Sequence, residues 1–192
     1  MYTNLVVKVL PRTEESIWAK IRMDLVYAIL AILGTAVLAL SAKVQIPFWP
    51  VPMTMQTFVV LILGMAYGAR LGAATLALYL IEGAVGIPVF ATGSGIAYIA
   101  GPTGGYLIGF LLAAYTIGWL ANQGWDRSMI KTLGAMLVGT AIIFIFGIAW
   151  LSTFIGFEKA VAAGLTPFIL SEALKIALAV IIMPLLWKRF SN

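Results

Sequence analysis

The polar groups in this sequence that could do chemistry sit inside apolar runs. Glu172 and Lys175, in Ser171-Glu172-Ala173-Leu174-Lys175, are spaced i, i+3 and so share one face of a helix. Glu82 lies in Tyr79-Leu80-Ile81-Glu82-Gly83, and Gln56 in Thr54-Met55-Gln56-Thr57. Ionisable groups in a membrane-length apolar run are costly to bury and mark functional positions by default. A carboxylate accepts N–H donors, while a lysine ammonium and a glutamine amide donate to a carbonyl. Together they suit a polar, hydrogen-bonding solute rather than a bond-breaking reaction. Phe48, Trp49, Tyr79, Phe90 and Tyr98 are rings that could wall such a site, although interface belts use the same residue types. Plainer readings stand beside this one. Glu172 and Lys175 could pair and snorkel, Glu82 could mark the wet end of its helix, and Gln56 could join two helices.

Absences narrow the chemistry. The 192 residues contain no histidine and no cysteine, which removes imidazole bases, thiolate nucleophiles and the commonest metal ligands. No further ligand accompanies the acidic residues, so no metal site is expected. No G-x-x-x-x-G-K-[ST] loop is present, so ATP is not hydrolysed here by that route. Gly93-Ser94-Gly95 faintly resembles a serine-nucleophile turn. Without histidine its one base would be Lys175, which leaves an intramembrane Ser-Lys hydrolase as the alternative from another functional class.

The elements that must position these residues are membrane helices. The chain is 62% hydrophobic and 10% charged, against roughly 25% charged for a soluble domain. Pro11, Glu14, Glu15 and Asp24 precede the first long apolar run, a pattern unlike a secretory leader. Six runs approach the roughly 20 apolar residues of a spanning helix: 24–41, 53–68, 70–86, 104–121, 129–151 and 167–187. The second and third, joined only by Tyr67-Gly68-Ala69-Arg70, could instead merge into one long or re-entrant element, but together they overshoot one crossing. The expected architecture is all-α, a bundle of six transmembrane helices over 24–187. Residues 1–23 form an N-terminal segment in which 12–23, with Ile17, Trp18 and Ile21 on one side, could lie as an interfacial helix. If six helices alternate, Lys8, Arg12, Lys20, Arg22, Arg70, Arg127, Lys131, Lys188 and Arg189 fall on one side, and Lys43 and Lys159 on the other. The positive-inside rule then makes both termini cytoplasmic. The opposite face carries the longer loops 42–52, 87–103 and 152–166, the first too proline-rich for a helix. A capture site on that face is expected.

Small residues recur at four-residue intervals as Ala31, Thr35 and Ala39, and as Gly101, Gly105, Gly109 and Ala113. Such rows allow close helix approach, either within the bundle or against another membrane subunit.

Four motifs then define a resemblance: Pro50-Val51-Pro52-Met53-Thr54-Met55-Gln56-Thr57, Gly68-Ala69-Arg70-Leu71-Gly72, Tyr79-Leu80-Ile81-Glu82-Gly83-Ala84-Val85-Gly86-Ile87-Pro88-Val89-Phe90-Ala91 and Gly101-Pro102-Thr103-Gly104-Gly105-Tyr106. Their order over residues 24–187 resembles the BioY family, the biotin-binding membrane subunits (S components) of energy-coupling factor transporters. The resemblance implies a non-enzymatic, multi-pass protein of a bacterial or archaeal inner membrane, with biotin as its transported ligand and no cofactor. It also implies a transmembrane coupling subunit and two cytoplasmic ATPase subunits as partners, with Ala31, Thr35 and Ala39 as a docking face. The expected substrate-binding set is Gln56, Tyr79, Glu82, Ser94, Tyr98, Glu172 and Lys175. An S component for another vitamin is the nearest alternative. Glu172 stands where the family pattern has Asp, Leu170-Ser171 where it has Pro-Gly, and Ser94 and Ile96 where further glycines are common. No arginine occurs in 91–100, unlike some relatives. For the biotin carboxylate, Lys175 and the backbone amides of Thr92 through Gly95 are the candidates.

Overall fold

In the computed structural model residues 17–191 are described, with side chains from 21 to 187. Of the expected interfacial helix, 12–16 lie outside the described residues; from Ile17 onward the chain is helical and continuous with the first span. That helix, α1, covers Ile17–Lys43. It is followed by β1 (Gln45–Ile46), β2 (Met53–Thr54), α2 (Gln56–Ala84), α3 (Ile96–Ile99) and α4 (Gly104–Asn122). A 3-10 turn at Trp125–Arg127 leads to α5 (Met129–Ile155) and α6 (Phe157–Gly164). A second 3-10 turn at Thr166–Phe168 opens α7 (Ile169–Ser191). Among the described residues, five helical segments are long and apolar enough to cross a membrane. In hydrocarbon every backbone N–H and C=O must be satisfied internally, which a long apolar helix does by itself.

The runs expected at 53–68 and 70–86 form one helical stretch broken at Gly68, whose φ of 78° and ψ of 177° lie outside the helical region. Only glycine adopts this conformation without strain. The chain reverses there. A Cβ built on Gly72 would lie 3.3 Å from the Gly64 Cα, whereas positions eight apart in a straight helix are separated by ~12 Å. Gln56 and Tyr79, 23 residues apart, are likewise joined by a hydrogen bond. Gly118 of α4 seats the bend, since a Cβ on it would sit 2.3 Å from the Gly68 carbonyl carbon.

α4 packs against both α2 and α5. Its glycine row serves the second contact: Cβ atoms on Gly105 and Gly109 would come within 2.4 Å of the Phe146 carbonyl oxygen and 2.9 Å of the Ile143 Cα. Leu61, Met65, Ile117, Met136 and Ile143 fill the space between these helices and are fully buried. α1 lies outside this centre and leaves Leu25, Ile29, Leu33, Val37 and Leu40 exposed. Its small-residue stripe points the other way. Thr35 is buried and donates to Glu82 Oε1 at 3.0 Å, Tyr67 donates to the Leu30 carbonyl at 3.0 Å, and Ala39 packs against the core.

The turn at Gly68 and the turn at 123–128 lie at one end of the bundle, and the longer connections at the other. The proline-rich connection forms a small antiparallel ribbon, with Gln45 opposite Thr54 and Ile46 opposite Met53. The connection expected over 152–166 is mostly helical: α5 runs to Ile155 and α6 begins at Phe157.

Candidate functional site

The site lies at the long-loop end and begins with the buried pair on α7. Glu172 and Lys175 are 3% and 6% exposed. The Lys175 ammonium donates to Glu172 Oε1 at 2.7 Å, to Thr57 Oγ1 at 3.0 Å and to the Thr54 carbonyl at 2.8 Å. An ammonium has three donors, so all are engaged. Thr57 passes its own hydroxyl proton toward Glu172 Oε1 at 2.9 Å. Glu172 Oε2 is buried with no hydrogen-bond partner. Such an orphan is rare in a folded interior and calls for a donor from elsewhere.

A second chain of donors starts on the first leg of α2. Gln56 Nε2 donates to the Tyr79 hydroxyl at 2.6 Å, and Tyr79 donates to the Val89 carbonyl at 2.9 Å. This fixes the Gln56 side chain and ties the loop after α2 to both legs of the helix. Phe90 then lies edge-on to Tyr79 at 5.4 Å and stacks on Tyr98 at 4.9 Å. Gly83 makes room for that ring, since a Cβ there would fall 1.9 Å from Phe90 Cζ.

Between these two assemblies is a small, partly open cavity. Thr54, Gln56, Thr57 and Glu172 supply its polar wall. Phe90, Tyr98, Tyr106, Phe110, Phe144 and Phe168 supply rings, and Val51, Pro52, Ala91, Thr103 and Leu107 complete the lining. Phe144 meets Tyr106 and Phe168 edge-on at 6.0 and 5.9 Å. The arrangement is that of a small-molecule site, a mostly apolar hollow with a few fixed polar groups.

Of the seven expected substrate contacts, Gln56, Tyr98 and Glu172 line the cavity. Tyr79 and Lys175 stand behind the lining and hold Gln56 and Glu172 in place. Glu82 is turned to Thr35 of α1 and joins two helices. Ser94 is absent from the lining, and the Lys175 donors go to other groups, so no Ser-Lys dyad is assembled. Thr57, Tyr106, Phe144 and Phe168 were not anticipated. Thr57 was legible as the neighbour of Gln56. The rings look like any other buried aromatic in an apolar helix and carried no signal.

The fold and the cavity define a multi-pass helical membrane protein that encloses a small-molecule site. The chain belongs to the BioY family, whose model matches residues 14–192. It is 41% identical over 154 residues to a probable biotin transporter BioY of Pyrococcus horikoshii, covering 80% of this chain and 91% of that one. It is 37% identical over 150 residues to the biotin transporter BioY of Thermotoga maritima, covering 77% and 88%. Among solved structures it is similar to the S-component for biotin from an ECF-type ABC transporter. The TM-score is 0.73 over 87% of this chain and 93% of that one, at 24% identity.

Proposed function

We propose that the chain is the biotin-capturing membrane subunit of a vitamin importer and performs no catalysis of its own. One observation carries this reading: Glu172, whose Oε2 has no hydrogen-bond partner, lines one cavity together with the fixed Gln56 amide and a set of rings. Biotin's ureido group offers two N–H donors and one carbonyl, which a carboxylate oxygen and an amide donor satisfy. Its fused thioether ring suits the aromatic side. Gln56, Tyr98 and Glu172 contact the ligand, while Tyr79 and Lys175 are positioning residues. Membership of the BioY family and the names of its relatives support the choice of biotin.

The reversal at Gly68 supports six crossings from the five apolar segments, and the basic residues at the short-turn end support cytoplasmic termini. The cavity then opens outward from a bacterial or archaeal cell membrane. Uptake requires a transmembrane coupling subunit and two cytoplasmic ATPases. On this reading the coupling subunit meets the exposed face of α1, with the half-exposed Ala31 and Ala39 at its edge and Thr35 turned inward to Glu82. Equilibrium binding of radiolabelled biotin to the purified protein tests the function, with thiamin, riboflavin and desthiobiotin as competitors. Saturable binding displaced by desthiobiotin alone among the three is expected; absence of saturable binding overturns the reading.

A further inference from the structure

Among the described residues, Glu172 is the one acidic or basic side chain that lines the cavity. Glu172 is already paired with Lys175, so a ligand carboxylate finds no free cation in the wall and needs one at the mouth, because charges interact strongly where water is scarce. Among the described residues, three cations belong to the long-loop half of the bundle: Lys43, Lys159 and Lys175.

Two of them are unsuited. Lys175 has all three donors committed and lies behind Glu172. Lys159 lines a separate groove with Phe48, Trp49 and Phe154. Phe168 stands between that groove and the cavity, with its ring edge-on to Phe48 at 6.3 Å and to Phe144 at 5.9 Å.

Lys43 is the last residue of α1 and is exposed. Its ammonium donates to the Phe90 carbonyl at 2.6 Å, which leaves two of three N–H donors unspent on that bond. Phe90 and Ala91 both line the cavity, and Gln45 Nε2 donates to the Ala91 carbonyl at 3.3 Å. An exposed ammonium just outside the lining is therefore held against the backbone of a wall residue, on a different chain segment from Glu172. We infer that Lys43 receives the carboxylate of the ligand, so that the site takes biotin head-first with its acid at the rim. This inference rests on the reading of the cavity as a biotin site.

The test compares biotin with its uncharged primary amide, biotinamide, on the purified full chain. The wild-type protein should bind biotin more tightly than biotinamide. Lys43→Gln should weaken biotin roughly 10- to 100-fold, the range of a charge-assisted hydrogen bond, and leave biotinamide within about twofold. Lys43→Arg should restore most of the preference, and Lys159→Gln should behave as wild type. Equal losses for both ligands in Lys43→Gln would reduce Lys43 to a brace for the loop and overturn the inference, as would no loss for either. Transfer of the discrimination to Lys159→Gln would also overturn it, placing the acid in the groove. Wild-type protein that binds neither ligand would overturn the biotin reading itself, and this inference with it.

Discussion

Glu172 and Lys175 are buried together, so neither can be judged by removing it alone. Lys175→Met would strand a buried carboxylate beside Thr57, and loss of one partner of a buried ion pair costs about 3–5 kcal/mol. The expected outcome is a large fall in thermal stability together with lost biotin binding. Adding Glu172→Gln removes the stranded charge and should recover most of the stability, yet leave binding impaired, because an amide nitrogen or neutral oxygen replaces the orphan acceptor. Thermal unfolding and equilibrium binding on the two single variants and the double variant check this. Restored binding in the double variant would show that the carboxylate is needed for folding and not for the ligand. The pair itself was visible in the amino-acid sequence, because charges interrupt an apolar run there. Which of its members touches the cavity was not, since i, i+3 spacing gives a shared face without saying which atom ends behind the other.

At the scale of elements, the joint between α4, α5 and α7 has its own electrostatics. Asp126, in the 3-10 turn, is fully buried and accepts from the Trp187 indole of α7. The Arg127 guanidinium lies 4.5 Å over the Trp187 ring and 4.0 Å from Asp126 Oδ1. Burial pushes the Asp126 carboxyl from 3.8 up to about 6, against the opposing pull of the Trp187 hydrogen bond, the backbone and Arg127. The folded state thus holds this proton more tightly than the unfolded chain. Its contribution is full below the ordinary value of 3.8 and is lost as pH rises through about 6. Asp126→Asn should remove that decline, so the wild-type protein should lose roughly 2 kcal/mol more stability than the variant between these limits. Melting temperatures of both proteins across the interval measure it, and parallel curves would count against a raised Asp126. Element boundaries followed the apolar runs closely, as with Gly104–Asn122. They departed where turn and helix compositions overlap. The α6 helix, Phe157–Gly164, contains alanines and two glycine-flanked ends that suit either state.

For the whole molecule the decisive feature is the fold-back at Gly68. Because the chain has no cysteine, single cysteines report sidedness without background. Thr92→Cys should react with a membrane-impermeant maleimide in intact cells, while Arg70→Cys and Ser128→Cys should react only after permeabilisation; all three positions are exposed. Reaction of Arg70→Cys in intact cells would refute six crossings with cytoplasmic termini. By itself the sequence determined the membrane class, the apolar segments, the loop-rich end and most of the polar residues near the site. Hydropathy, charge and proline content act locally, so they are readable along a chain. Only the tertiary structure decided the inward turn of Thr35 to Glu82, the separation of Gln56 and Glu172 from their braces Tyr79 and Lys175, and the rings opposite them. Those outcomes depend on how apolar helices rotate about their axes. In helices apolar on every side, close packing around glycines such as Gly83, Gly109 and Gly118 sets that rotation.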